Sequence, residues 1–101
     1  MIQLEWTALA FAQLESLPDS VAFEIVRRTD ALMAFPEMGA SLRETLFTEK
    51  NYRQLIVKRR WRVIYRYDRD AAVIYLAALQ HCRQQFPFFG ELEREIRRTQ
   101  P

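Results

Sequence analysis

Between Tyr52 and Gln80 the chain alternates apolar and polar residues through three runs, about Tyr52–Val57, Trp61–Tyr67 and Ala72–Gln80. They are separated only by Lys58-Arg59-Arg60 and Asp68-Arg69-Asp70-Ala71. A period of two sends successive side chains to opposite faces of a strand, and connections this short allow only hairpins. The β-branched and aromatic residues crowded into these runs favour strands over helix. This stretch therefore commits the chain to an antiparallel sheet of consecutive strands, and the remaining residues must cover it.

The N-terminal half supplies the cover. Ile2, Leu4 and Trp6 alternate with Gln3 and Glu5, the pattern of a short strand with one face buried. Thr7 is placed to cap a helix from Ala8 to about Leu17, with Leu9, Ala12 or Gln13, and Leu17 on its inner side. Pro18 stops it, and Asp19 or Ser20 caps a second helix. There Val21, Ile25, Leu32 and Phe35 recur at helical spacing, widened by Ala22, Val26 and Met33. Pro36 ends this helix, residues 40–50 read as a loop, and Gly90–Arg98 reads as a short, weakly anchored helix carrying Leu92 and Ile96. The predicted fold class is α+β: an N-terminal strand, a two-helix hairpin packed on a small antiparallel sheet, and a short C-terminal helix. Trp6, Ile25, Leu32, Val63 and Ile74 are expected in one core beneath the hairpin.

Length and composition bound the rest. The chain has 101 residues, enough for one domain (1–101) with one core. A single cysteine, Cys82, forms no internal disulfide, which fits a reducing cytoplasm. Residues 1–5 lack the basic start of a secretory signal, and the longest apolar run, Ala71 to Leu79, is about half of what a membrane helix needs. The expectation is a cytoplasmic protein with no membrane partner. One histidine beside one cysteine makes no metal set, and two glycines make no phosphate loop, so neither metal nor cofactor is expected.

Charge is uneven. Lys50 to Asp70 holds eight basic residues against two acidic, a net of +6, and the remainder seven against eleven, a net of −4. Such asymmetry points to an anionic partner, nucleic acid or acidic protein, meeting one face. If the helices cover the face of Val63 and Tyr65, alternation sends Arg62 and Arg66 out from the opposite, uncovered face. Arg53, Arg62, His81 and Arg83 are then the candidates to converge on one concave surface. Guanidiniums bind phosphate bidentately and neutralise developing charge, and an imidazole moves protons near neutral pH. The set suits a metal-independent ribonuclease in which a base takes the 2′-hydroxyl proton and the arginines hold the phosphorane. The alternative for His81 is a structural strand-end histidine, and for the basic run a solubilising hairpin.

The sequence resembles the RelE/ParE superfamily of bacterial toxins from type II toxin–antitoxin systems. The resemblance lies in "IQLEWT" with the helix after it, in "FPEMG" at 35–39, and in "YRQLIV…WRVIYRYDRDAAVIYLAALQHCRQ". It implies a helical hairpin on a small twisted sheet, a growth-inhibiting toxin, and an acidic, partly disordered antitoxin that wraps it in a hetero-oligomer. Two targets are implied by the two branches: ribosome-bound mRNA, cut by RelE-like mRNA interferases, and DNA gyrase, inhibited by ParE-like toxins. Arg62 matches the position of a RelE-like catalytic arginine, and Arg53 stands where that branch often has a catalytic lysine. Leu55 occupies the place of a second lysine, and Phe86-Pro87-Phe88-Phe89 replaces the region of a common tyrosine. "FPEMG" and "HCRQQFP" look more ParE-like, which leans the expectation toward gyrase. An inactive toxin fold kept as a binding module is the third reading.

Overall fold

The computed structural model describes residues 1–100. In chain order they form β1 (Gln3–Trp6), α1 (Ala8–Glu15), α2 (Asp19–Asp30), β2 (Ala40–Ser41), β3 (Tyr52–Val57), β4 (Trp61–Asp68), β5 (Val73–His81) and α3 (Phe89–Thr99). One five-stranded sheet has the order β1-β5-β4-β3-β2. Strands β2 to β5 are antiparallel neighbours, and β1 joins β5 in parallel. Ala40–Ser41, expected as loop, adds a two-residue edge beside Gln54 and Arg53. Ile64 pairs with Ala78 and Tyr65 with Leu76, so Ala77 is an extra residue on β5. Ala77 and Ala78 consequently lie toward the same layer, where bulky side chains would not fit together.

Thr7 caps α1 as expected: its Oγ1 accepts from the N–H of Ala10 at 3.2 Å. The same hydroxyl donates to the carbonyls of Leu76 (3.0 Å) and Ala77 (3.1 Å), so the cap also ties α1 to β5. The inner side of α1 is corrected: Ala10 and Leu14 are buried, while Leu9 is exposed. The expected capping of α2 by Asp19 or Ser20 is also corrected. Pro18 is its N-cap, with no side-chain bond, and Asp19 lies in the first turn, where a carboxylate complements the helix dipole. After Asp30 the helix tightens into a 3₁₀ turn over Ala31–Met33. That change of winding keeps Leu32 buried but turns Met33 and Phe35 outward, against the expected stripe.

The face of Val63 and Tyr65 is covered by Leu14 of α1, Ile25 of α2 and Leu32, with Ile74, Leu76 and Trp6 in the same layer. The expected core is therefore present. The opposite face is not open, contrary to expectation. Tyr52, Ile64, Tyr75, Ala77 and Ala78 pack there beneath Leu92 and Ile96 of α3 and beneath Leu42 and Leu46 of the 42–50 segment. Two inward apolar residues one turn apart on α3 suffice once the sheet offers them a flat aromatic floor, with Phe89 meeting Tyr52 edge to face at 5.7 Å. No helix among the described residues is long and apolar enough to cross a membrane.

Candidate functional site

Register fixes where each arginine points. Arg53 lies opposite Tyr65 on the helix-covered face, and Arg62 lies opposite Ile56 and Gln80 on the other. His81 lies opposite Trp61, again on the helix side. Four strand steps separate the Arg53–Tyr65 pair from the Trp61–His81 pair, about 13 Å along the sheet. Convergence of the four candidates on one surface is thereby overturned. The pleat puts Arg53 and Arg62 on opposite sides of the sheet.

Each arginine has its own task. The Arg53 guanidinium donates to the carbonyls of Gly39 (2.7 Å) and Glu37 (3.3 Å) and lies 3.7 Å from the Glu37 carboxylate. It clamps the "FPEMG" turn together with Tyr65, whose hydroxyl donates to the Pro36 carbonyl (2.8 Å) and accepts from the Gly39 N–H (3.0 Å). Burial pushes the Tyr65 phenol above its ordinary range, although the Gly39 N–H and Arg53 pull the other way.

Arg62 was expected to project into solvent but is only 6 % exposed. Its guanidinium lies 3.9 Å from the centroid of the Phe86 ring and donates to the carbonyls of Cys82 (2.5 Å) and Gln84 (3.3 Å). No carboxylate pairs with it among the described residues. A buried cation is costly unless dipoles and a π face replace water. Here two carbonyls do so at one terminal nitrogen and Phe86 does so over the ring plane, while the buried Nε has no partner among the described residues. Arg62 therefore organises the 82–86 segment that leads into α3.

His81 and Arg83 are the two candidates that the fold brings together. The Arg83 N–H donates to His81 Nδ1 at 3.0 Å, so the hydrogen-bond pattern leaves Nε2 as the free ring nitrogen. The Trp61 ring meets the imidazole edge to face at 5.1 Å. Both residues line a cleft with Arg59, Arg60 and Cys82 at the apex of the β3–β4 hairpin. The Cys82 N–H donates to the Arg60 carbonyl at 2.7 Å and holds the two turns side by side.

One cluster escaped the sequence reading. Glu93 of α3 is a side chain only 13 % exposed that accepts from Lys50, from the Tyr52 hydroxyl and from Arg66, the last at 2.8 Å. Arg66, expected in solvent, instead lies beneath α3 between the rings of Tyr52 and Tyr75. Burial alone would raise the Glu93 carboxyl, but the Lys50 and Tyr52 hydrogen bonds and the Arg66 charge hold it below the ordinary carboxylate range. Burial, then Glu93, pushes the Tyr52 phenol far above its own. The one available signal was Glu93 standing beside Leu92 on the inward side of α3. Among the described residues no cluster of three His, Cys, Asp or Glu side chains is placed to hold a metal ion.

Comparison with known proteins accords with this fold. A chain of the intact E. coli RelBE toxin–antitoxin complex superposes with a TM-score of 0.66 at 10% identity, covering 83% of this chain and 100% of that one. The isolated E. coli RelE toxin gives 0.67 at 12% identity, covering 95% and 99%. At such identities the likeness is one of fold. No curated protein matches in sequence. The family model described as ParE toxin of type II toxin-antitoxin system, parDE, matches residues 4–86, from β1 through the Arg62-bound segment. A match over that span, on this strand and helix order, makes the chain a member of the ParE toxin family, within the RelE/ParE superfamily of type II toxins.

Proposed function

We propose that this toxin stops growth by binding DNA gyrase rather than by cutting RNA, and that a cognate acidic antitoxin neutralises it in a hetero-oligomer. The dispersal of Arg53, Arg62 and His81 is the observation that carries the reading. A phosphoryl-transfer site needs its acid, base and charge-stabilising groups within hydrogen-bond reach of one phosphate. Here Arg53 grips a turn, Arg62 is buried on the opposite face, and only His81 and Arg83 lie together, through the Arg83 backbone N–H. Leu55, at 4 % exposure, belongs to the core and offers no charge. The match to the ParE family supports the same target, and the RelBE complex supports an antitoxin partner.

The RelE-like ribonuclease is the second reading, favoured by the His81–Arg83 pair in its open cleft. One conservative substitution divides the two. Gyrase inhibition needs no proton transfer, so His81→Gln stays toxic and cells expressing it mount a DNA-damage response. Removing a general acid–base group costs about 10²–10⁴ in rate, so a ribonuclease would lose its toxicity. Ribosome-bound mRNA cleaved by the wild type and spared by His81→Gln would overturn the gyrase reading. Folded protein that provokes neither response would leave the binding module.

A further inference from the structure

The three-residue turn between β3 and β4 is built against its own backbone preference. Lys58 and Arg59 have φ of 54° and 61°, the left-handed region, and the Arg60 N–H closes the turn on the Val57 carbonyl at 3.2 Å. Asn-Gly meets such a turn without strain, whereas long side chains there meet their own carbonyls. Instead the chain places Lys58, Arg59 and Arg60 in succession, all exposed, with exposed Arg83 across the cleft. None of the four makes an ion pair among the described residues. Glu24, a carboxylate that feels Lys58, is already bound by Arg27. By contrast, Arg43, Lys50, Arg53, Arg66 and Arg69 are all paired with carboxylates. Arg28, Arg94 and Arg97 are also unpaired among the described residues, on helices, but four unpaired cations share the one apex, on a strained turn.

The character of the surroundings selects the partner. A protein partner would want an apolar anchor, yet the exposed large hydrophobic residue beside the apex, Ile56, stands on the sheet face opposite Trp61 and His81. A single strand would want an open aromatic platform for its bases, but the aromatic there, Trp61, is only partly exposed, set edge to face against His81 and packed on the core. What remains is a hairpin apex with four cations and an imidazole around it, suited to rows of phosphate oxygens. We propose that the hairpin apex formed by Lys58, Arg59 and Arg60, with Arg83, binds the phosphate backbone of duplex DNA without reading its sequence. The inference deepens the gyrase reading and rests on it for its use, since gyrase holds duplex DNA. Its chemistry is tested without gyrase.

The test is fluorescence anisotropy of the purified full chain with a labelled duplex of about 20 base pairs across a salt series. About four phosphate contacts predict a slope of log K against log salt near −3 to −4. Arg59→Ser with Arg60→Ser should flatten the slope by about two and weaken binding roughly tenfold or more. Arg97→Ser with Arg98→Ser, the same charge loss at the end of α3, should stay within about twofold. Arg59→Gly should raise the unfolding midpoint by roughly 4 °C through relief of the turn while weakening DNA binding. Equal losses in both double variants, no duplex binding, or tighter binding of single-stranded RNA or polyglutamate would each overturn the proposal. A supercoiling assay keeps the two readings apart. Duplex binding without gyrase inhibition removes gyrase and leaves the apex site standing, and gyrase inhibition by a chain that does not bind DNA does the reverse.

Discussion

Arg62 is buried and Glu93 largely covered, so each holds partners that solvent does not readily replace. Removing Arg62 leaves the Cys82 and Gln84 carbonyls without their donor and leaves a gap against Phe86. Arg62→Ala should therefore cost about 2–4 kcal/mol in chemical denaturation, rather than the small change expected of a solvent-facing side chain. An unchanged denaturation midpoint would show that the segment holds without it. Glu93→Ala should cost about 3 kcal/mol or more, since it strands Arg66 between two tyrosine rings. The same group sets an acid dependence. Its folded pKa is depressed, so its stabilisation is complete above the unfolded carboxylate value of about 4.3 and is lost as pH falls through the folded value. The stability gap between wild type and Glu93→Gln should accordingly close on acidification below about pH 4. A gap constant from pH 7 to pH 3 would show that charge is not what Glu93 contributes.

Among the elements, α3 and the turn after α2 depend most on single positions. Leu92 and Ile96 are each 1 % exposed and are the side chains by which α3 closes the second layer. Leu92→Ala or Ile96→Ala should cost about 2–5 kcal/mol, comparable with Ile25→Ala or Leu32→Ala beneath the other face. Thermal unfolding of all four variants tests this directly. If α3 were weakly anchored, its two variants would melt with the wild type. At the turn, a Cβ on Gly39 would stand 2.5 Å from the Gln54 carbonyl oxygen and 2.9 Å from the Tyr65 ring. Backbone cannot retreat as a flexible side chain can, so Gly39→Ala should destabilise by about 1–3 kcal/mol and loosen the Arg53–Tyr65 clamp. Full wild-type stability would mean that the turn shifts freely.

For the whole molecule, the sheet is a central layer with a cover on each side, and its two long ends differ in charge state. At one end Arg53, Arg66 and Arg69 are neutralised by Glu37 and Glu93. At the other, Lys58, Arg59, Arg60 and Arg83 have no carboxylate partner among the described residues. An acidic antitoxin that neutralises this toxin should bind with an affinity that falls as salt rises, because exposed charges are screened beyond about 10 Å at 0.1 M. Calorimetry of the complex at two salt concentrations checks it, and salt-insensitive binding would place the antitoxin on apolar surface alone.

Periodicity and spacing along the chain sufficed for the four longer strands, the hairpin order of β3 to β5, the helix pair and the core under it, but not for the two-residue β2. Those follow from local periodicity and short connections, which act within a few residues of one another. Strand bounds came within one residue: β3 agrees, β4 runs on to Asp68, and β5 begins at Val73 because Ala72 takes a turn conformation at φ 55°. Alternation places Arg53 on the face of Leu55 and Val57, and the β3–β4 register then sets that face away from Arg62. That register, the extra residue at Ala77 and the cover over the second face were set by the folded chain as a whole. Each depends on contacts far apart in sequence, such as Glu93 with Tyr52 and Arg66, or Arg62 with Gln84. An arginine on an alternating strand reads as exposed because charge favours water. Whether it is buried depends on what the rest of the chain lays over it: the 82–86 segment over Arg62, and α3 over Arg66.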